Sequence, residues 1–195
     1  KIAMSGNEDF FEEEEDKLRD ECGVAGIWLA PKKTEDSQDG EKKYVAYSAS
    51  DFNAATRCYY ALYALQHRGQ DSAGIAVSNG ETISIHKGLG AVSDVFRTEN
   101  LSSLKGHIAC GHVRYATSGS QSHKKGLEHA LTDTIQMIKG SFALVVSTEK
   151  CLIGARDPNG IRPLCLGRVD SGWILASETC AIDAVNGTYV RDIQP

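Results

Sequence analysis

The sequence predicts a layered α+β domain built from many short strands and a few helices. Segments of five or six residues, rich in apolar and β-branched side chains, recur late in the chain at 142–147, 151–156, 163–168 and 173–177. Residues 54–66 and 124–139 instead carry apolar side chains at spacings of three and four, which is typical of amphipathic helices. The pair Asn79-Gly80 joins two strand-like segments and predicts a tight hairpin. Successive strands with few intervening helices favour a layered α+β fold over a doubly wound parallel sheet.

The first half of the chain opens with a strand and a helix. Residues 22–29 form an uninterrupted apolar run, which predicts a buried strand. A polar, charged segment follows at 31–43 and predicts a surface loop. The helix at 54–66 is expected to stop at Arg68-Gly69, because glycine can adopt the left-handed conformation of a C-cap.

The elements after that helix are predicted to be short. Strands are expected at 73–78 and 82–86, followed by a turn at Lys87-Gly88-Leu89-Gly90. A strand is expected at 108–116, and its Gly111 indicates a bulge or a close backbone approach. The other predicted elements are short helices at 91–96, 99–104 and 179–186, a turn at 157–160 and a final strand at 188–193.

Composition and charge exclude several classes of protein. Of the 195 residues, 41% are hydrophobic and 24% are charged, as in ordinary globular domains. Residues 1–21 form an acidic leader with nine acidic and three basic side chains, and the whole chain has a net charge of −5. The remainder is therefore nearly neutral and offers no basic face for nucleic acid. Neither a membrane-length apolar stretch nor a secretory signal pattern is present in the sequence, so we expect no membrane partner and a cytoplasmic protein.

Six cysteines are spread over the chain, at positions 22, 58, 110, 151, 165 and 180. None belongs to a C-x-x-C pair, and their spacings fit no zinc or iron–sulfur template, so no metal site is predicted. Without an export signal they are expected to be reduced. Five of them lie in apolar surroundings and are interpreted as small core residues.

Cys22 differs from the other five because it directly follows the acidic leader. Cleavage of the peptide bond between Glu21 and Cys22 would place a free α-amino group beside the thiol. An α-amino group titrates near pH 8 and exchanges protons readily at neutral pH, and a thiol is the most nucleophilic ordinary side chain. Cys22 is therefore a candidate N-terminal nucleophile. The alternative, taken from this segment alone, is a buried strand cysteine.

A second candidate site lies where the predicted strand at 108–116 ends. Arg114 takes that position, and an arginine there can hold a carboxylate through two parallel hydrogen bonds. Thr117 can add a hydroxyl group to the same anion. The alternative for Arg114 is a surface salt bridge.

Two further polar groups leave alternatives open. His67 and Arg68 can cap the last carbonyls of the helix, or they can lie near Cys22 and lower the pKa of its thiol. Cys110 and His112 form a cysteine–histidine pair, but two neighbours on one strand face have poor geometry for mutual activation, and this pair is not favoured.

Six short motifs follow one another between Cys22 and Pro195. They are Cys22-Gly23-Val24, Leu65-Gln66-His67-Arg68-Gly69-Gln70, His86-Lys87-Gly88, His112-Val113-Arg114-Tyr115-Ala116-Thr117, Asp157-Pro158-Asn159-Gly160-Ile161-Arg162-Pro163-Leu164 and Ser177-Glu178-Thr179-Cys180-Ala181. Together, and in this order, they resemble the glutaminase domain of the glutamine phosphoribosylpyrophosphate amidotransferase family. The resemblance favours the nucleophile interpretation of Cys22.

The resemblance implies a fold and a domain organisation. Residues 22–195 would form a glutamine amidotransferase type-2 domain, with the four-layer αββα sandwich of N-terminal-nucleophile hydrolases. Residues 1–21 would be a propeptide, cleaved between Glu21 and Cys22. The phosphoribosyltransferase domain of the family has no counterpart in this sequence.

The resemblance also implies a reaction and the residues that perform it. Cys22 would attack the side-chain amide of glutamine, releasing ammonia and then glutamate, and the ammonia would convert phosphoribosyl pyrophosphate to phosphoribosylamine in purine synthesis. Arg114 would hold the glutamine α-carboxylate with Thr117 nearby. Arg68 and Glu178 are candidate supports of the site. No cofactor is implied for this domain, whereas the transferase domain of relatives uses Mg and, in some members, an iron–sulfur cluster. The implied partners are glutamine, the transferase domain and further copies of the chain in a homo-oligomer.

One departure from the family concerns a segment expected between Ser122 and His123. In the family this segment supplies an Asn-Gly oxyanion hole and an aspartate that binds the glutamine α-amine. Loss of one oxyanion donor alone costs on the order of 10²–10³ in rate, so a true deletion would leave little activity. We expect the natural protein to contain the segment, because deleting it would expose residues of the hydrophobic core.

Two alternative functions follow from these observations. The first is a non-catalytic binding or regulatory module of the same fold that has lost its oxyanion hole. The second is another glutamine amidotransferase, such as one acting on a sugar phosphate, which the motifs at 157–160 and 177–180 disfavour.

Overall fold

A seven-stranded antiparallel sheet forms the centre of this computed structural model, which describes residues 22–30, 53–114, 135 and 138–195. In chain order the strands are β1 Gly23–Leu29, β2 Ser72–Ser78, β3 Ile83–Leu89, β4 Ile108–Arg114, β5 Ala143–Ser147, β6 Leu152–Arg156, β7 Cys165–Val169, β8 Gly172–Ala176 and β9 Thr188–Asp192. The large sheet has the order β3-β2-β4-β1-β8-β7-β9, and β5 and β6 pair separately. Strand β1 is therefore central, with β4 on one side and β8 on the other.

The helices are short apart from the first. They are α1 Ala54–Ala64, a 3₁₀ turn Gln66–Arg68, α2 Val92–Val95, α3 Thr98–Ser103 and α4 Thr179–Asp183. Asn53 caps the amino terminus of α1: its side-chain oxygen accepts a hydrogen bond of 2.8 Å from the Thr56 N–H and so satisfies one of the free donors of the first turn.

Helix α1 packs on one face of the large sheet, across β1 and β4. The buried side chains Cys58 and Leu62 of α1 join Ile27 of β1 in one apolar core. Gly111 of β4 permits the close approach, since a Cβ there would lie 2.6 Å from the Cys58 sulfur and 2.7 Å from a Leu62 methyl carbon. The sequence predicted a bulge or a close backbone approach at Gly111; instead, side chains of α1 approach it, and β4 pairs with β1 and β2 in regular register.

The hairpin β5–β6 packs on the opposite face of the large sheet. A Cβ on Gly26 of β1 would lie 2.5 Å from a Val145 methyl carbon, and one on Gly154 of β6 would lie 2.9 Å from a Leu175 methyl carbon. Glycines at both contacts thus let the two sheets approach each other closely. The described residues supply a helical layer and two sheet layers, in agreement with the predicted α+β sandwich of the N-terminal-nucleophile type.

Several predicted elements lie outside the described residues. They are the leader 1–21, the loop 31–43, residues 115–116 of the fourth strand and most of the helix 124–139, of which Ile135 is helical and 138–139 are not. In the described part of the chain no helix is long and apolar enough to cross a membrane.

Three local predictions were wrong. Lys87-Gly88-Leu89 is not a turn, because β3 continues to Leu89 and pairs with β2 throughout. The first helix ends at Ala64, and Gly69 has φ −178°, an extended conformation and not a left-handed cap. The helix predicted at 179–186 ends at Asp183.

Candidate active site

Cys22 lies immediately before β1, at the edge of the space between the two sheets. It is half-buried and lines an open pocket of about 180 Å³. The other lining residues are Val24, Arg68, His112, Ser141, Phe142, Ala143, Arg162, Pro163 and Ser177. Cys22 is thus beside accessible space and is not sealed in the core.

The main chain of Cys22 is held on both sides by Arg68. Its N–H donates to the Arg68 carbonyl at 2.8 Å, and its own carbonyl accepts from Arg68 Nε at 3.0 Å. Cys22 has φ +68°, in the left-handed region that residues other than glycine seldom occupy. The two hydrogen bonds therefore accompany an unfavourable backbone conformation at the candidate nucleophile.

Arg68 also contacts the carboxylate of Glu178. Its side chain is buried, and one terminal nitrogen donates to Glu178 Oε1. His67 Nε2 lies 3.1 Å from Glu178 Oε2, and His67 Nδ1 lies 3.1 Å from the Ala64 carbonyl. His67 therefore contacts a helix-end carbonyl, as the first alternative had it, and Arg68 lies beside Cys22, as the second had it for position. Partial burial raises the pKa of Glu178, but the hydrogen bonds and charges of Arg68 and His67 outweigh it and the pKa is lowered.

Arg114 ends β4 next to the start of β1. Gly23 pairs with Val113, so Cys22 and Arg114, one residue further on each strand, lie at the same end of neighbouring strands. Arg114 lines a second open pocket of about 420 Å³, whose wall also includes Lys87 and His112. His112 borders both pockets, and surrounding protein atoms together with the Arg114 charge lower its pKa. The Cys22 and Arg114 pockets therefore share His112 as a lining residue.

A buried aspartate organises the far wall of the Cys22 pocket. Asp157 is fully buried and accepts backbone hydrogen bonds from Phe142, Asn159, Ile161 and Arg162. Desolvation raises its pKa, but these four donors outweigh that effect and lower it overall. The sequence predicted only a turn at this place, because the donor on Phe142 comes from a distant part of the chain.

Ser177 is a second feature that the sequence did not single out. Its hydroxyl accepts from the Val24 N–H at 3.0 Å, and its own N–H donates to the Val24 carbonyl at 3.0 Å. These bonds tie the residue before Glu178 to the strand that begins after Cys22. The only sign of this role in the sequence was that Ser177 belongs to the motif that begins Ser177-Glu178.

The remaining predicted site residues divide into two groups. Thr117 and Glu21 lie outside the described residues. The pair Cys110–His112 does not form an activated thiol, because the Cys110 thiol donates to the Val145 carbonyl at 3.2 Å and burial raises its pKa to about 11. Burial also raises the pKa of Cys165 to about 11. Within the part of the chain that is described, no group of three His, Cys, Asp or Glu side chains could hold a metal ion.

Comparison with known proteins shows which proteins this chain resembles. Residues 97–184 match the family model of the glutamine amidotransferase domain. The amidophosphoribosyltransferase of Mycobacterium tuberculosis H37Rv is 33% identical over 241 positions, which cover 91% of this chain and 42% of that protein. The amidophosphoribosyltransferase of Bacillus subtilis strain 168 is 31% identical, over 91% of this chain and 45% of that protein.

A solved structure agrees with the sequence comparison. The glutamine phosphoribosylpyrophosphate amidotransferase of Bacillus subtilis, in complex with ADP and GMP, superposes with a TM-score of 0.72 at 31% identity. The match covers 89% of this chain and 46% of that chain. The chain thus spans less than half the length of the relatives it matches.

The fold and the comparisons together show similarity to glutamine amidotransferase domains of the N-terminal-nucleophile type. Its relatives are enzymes. In particular, the chain is similar to the amidophosphoribosyltransferases, and the resemblance predicted from the six motifs is confirmed.

Proposed function

We propose that this chain is the glutaminase part of an amidophosphoribosyltransferase and that Cys22 is its nucleophile. The observation that carries the proposal is the position of Cys22. It lines an open pocket, and Arg68 forms hydrogen bonds with both its main-chain N–H and its carbonyl. Of the six cysteines, Cys58, Cys110, Cys165 and Cys180 have pKa values raised by burial, which keeps their thiols protonated and unreactive.

The proton carrier in this proposal is the α-amino group of Cys22. Cleavage after Glu21 would convert the Cys22 nitrogen from an amide, which accepts no proton at neutral pH, to an amine. That nitrogen is already placed by a 2.8 Å hydrogen bond to the Arg68 carbonyl. The amine takes the thiol proton as sulfur bonds to the amide carbon of glutamine, and then passes it to the departing ammonia. Water subsequently cleaves the thioester and releases glutamate.

Arg114 is proposed to bind the α-carboxylate of glutamine. Its guanidinium group can form two parallel hydrogen bonds with a carboxylate. The Arg114 and Cys22 pockets have His112 in common, which supports one glutamine molecule contacting both groups. Thr117 is proposed to assist at the same carboxylate, three residues further along the chain.

The oxyanion hole and the α-amine ligand are assigned to the segment expected between Ser122 and His123. The alignments with relatives extend over as many as 241 positions, more than the 195 residues of this chain, so the relatives contain residues without a counterpart here. This is compatible with a segment missing at that place, which stays a prediction.

The function of the whole protein is also a proposal. Ammonia from glutamine would be delivered to a phosphoribosyltransferase domain, which would use Mg to convert phosphoribosyl pyrophosphate to phosphoribosylamine. An iron–sulfur cluster, if present, would belong to that domain. We propose a cytoplasmic homo-oligomer, as the family resemblance implies.

Glutamate release from glutamine tests the proposed function. We expect activity in protein whose amino terminus is Cys22, as verified by intact mass, and a loss of at least about 1,000-fold in Cys22→Ala. Cys151→Ala is the matched control, because Cys151 is also half-buried but lies away from the pocket. Equal activity in Cys22→Ala and in the control would refute the proposal. Saturable glutamine binding without turnover would instead support the non-catalytic alternative.

A further inference from the structure

We propose that Glu178 is a positioning residue for the Cys22 nucleophile, acting through Arg68, and that His67 holds the same carboxylate from its other side. The catalytic half of this inference rests on the proposed function. The structural half concerns only how Cys22 is held.

Arg68 connects two parts of the chain that the sequence separates widely. Its main-chain carbonyl and its Nε both bond to Cys22, so a rotation of the Arg68 side chain would break one of the two contacts. The side chain is 3% exposed, and its terminal nitrogen donates to Glu178. The orientation of the guanidinium group thus links the position of Cys22 to the position of the Glu178 carboxylate.

Glu178 occupies a defined place of its own. It follows Ser177, which is bonded in both directions to Val24 of β1, and it precedes α4. Its carboxylate therefore belongs to a corner between β8 and α4 that is hydrogen-bonded to β1. Arg68 is oriented by its bond to this corner.

The groups facing this carboxylate come from the two elements packed against it. Arg68 and His67 approach from the 3₁₀ turn after α1, with His67 Nε2 at 3.1 Å. The Cys180 thiol lies 3.6 Å from Glu178 Oε2 and comes from α4. One positive guanidinium and one imidazole thus bind a single carboxylate, while the thiol adds a weak donor.

The arrangement matters most after cleavage. A residue that starts a chain has lost its covalent link on one side, and its backbone is then fixed only by its bonds to the remainder of the protein. The Arg68 carbonyl would hold the new amine, and Arg68 Nε would hold the Cys22 carbonyl. A displacement of about 1 Å in a reacting group can lower the rate about 100-fold.

The test combines an enzymatic and a spectroscopic readout on the same variants. We compare Glu178→Ala, Glu178→Gln and His67→Ala with Glu81→Ala, a control in the exposed hairpin turn between β2 and β3. The first readout is kcat and KM for glutamate release. The second is the rate at which the Arg68 Nε proton exchanges with water, measured by NMR on a resonance assigned by its loss in Arg68→Lys.

We expect kcat to fall about 10- to 100-fold in Glu178→Ala, with KM unchanged within about threefold. The Arg68 Nε proton should exchange at least about 10-fold faster in that variant. Glu178→Gln should recover part of both losses because its amide oxygen still accepts a hydrogen bond. His67→Ala should have a smaller effect in the same direction, and Glu81→Ala should have none.

Two results would overturn the inference. One is an unchanged exchange rate in Glu178→Ala, with or without a fall in kcat, and the other is a rise in KM of the same size as the fall in kcat. If Glu178→Ala does not fold, Glu178→Gln is judged by the same criteria. If the parent protein with Cys22 as its first residue releases no glutamate, the proposed function fails and the exchange rates alone decide whether Glu178 holds Arg68.

Discussion

A methyl group added at Gly69 would press directly on the main chain of Arg114. A Cβ at this position would lie 2.8 Å from both the nitrogen and the carbonyl carbon of Arg114, whereas ordinary contacts of this kind begin at 3.4 Å. Gly69 has an extended φ of −178°, so the cost of Gly69→Ala is steric and not conformational. The backbones of Gly69 and Arg114 must therefore move apart by about 0.6 Å, against the ladders of β4 with β1 and β2 that hold Arg114.

The expected loss of stability follows from overpacking. Forced insertion of a methyl group typically costs about 1–3 kcal/mol, which corresponds to a decrease in Tm of roughly 2–12 °C at this chain length. If Arg114 binds the glutamine carboxylate, the KM for glutamine should also rise, by about 10-fold for a shift of this size. Thermal unfolding and glutaminase kinetics measure the two effects on the same protein.

A matched control separates stability from substrate binding. In Gly167→Ala the new Cβ would lie 2.8 Å from two Ile182 carbons, a similar overlap on β7 that does not involve the Arg114 main chain. We expect a comparable decrease in Tm with an unchanged KM. Wild-type stability and KM in Gly69→Ala would refute the steric argument, and an equal rise in KM in Gly167→Ala would refute the link to Arg114.

Three further predictions concern titration and backbone conformation. The folded-state pKa of Glu178 lies below its ordinary value of 4.5, so its contribution to stability is complete above pH 4.5 and is lost as the pH falls through the lowered pKa. Urea unfolding should therefore show that Glu178→Gln is less stable than the parent protein at pH 7 and that the difference shrinks below pH 4.5. A difference that does not change with pH would contradict this. In uncut protein Cys22 has a left-handed φ of +68°, which glycine adopts more readily than alanine. The free energy of unfolding should therefore be higher in Cys22→Gly than in Cys22→Ala, by about 0.5–1 kcal/mol after the entropy cost of glycine. The reverse order would count against strain at this residue. Iodoacetamide at pH 8 should leave Cys110 and Cys165 largely unmodified while Cys22 reacts, because thiols with a pKa of about 11 are almost entirely protonated at that pH. Peptide mass mapping of the treated protein measures this.

The local signals in the sequence predicted most of the strands. Asn79-Gly80 forms the expected hairpin turn, in which Gly80 has φ +101° and the Asn79 side chain accepts from the N–H groups of Glu81 and Thr82. Gly88 misled the prediction because glycine usually marks a turn. Here its missing side chain makes room for Val95 of α2, which would lie 3.2 Å from a Cβ. That contact depends on tertiary packing and has no local signature.

The site was predictable in its parts but not in its connections. Cys22, Arg68 and Glu178 were each singled out by position or motif. The bond between Arg68 and Glu178 spans 110 residues and depends on β1 pairing with β8 while α1 lies across the sheet. Gly69 was expected to adopt a left-handed cap. Glycine is required at position 69 because the Arg114 backbone lies too close for a Cβ atom. The residue spacing in the sequence does not reveal this contact.

Covalent capture of Cys22 by a glutamine-like electrophile tests the central claim most directly. We predict that protein beginning at Cys22 gains one adduct per chain, that peptide mapping places it on the Cys22 sulfur, and that excess glutamine slows its formation. Uncut protein should remain unlabelled over the same period because its Cys22 nitrogen is an amide. An adduct on another residue, or equally fast labelling of the uncut chain, would contradict the account.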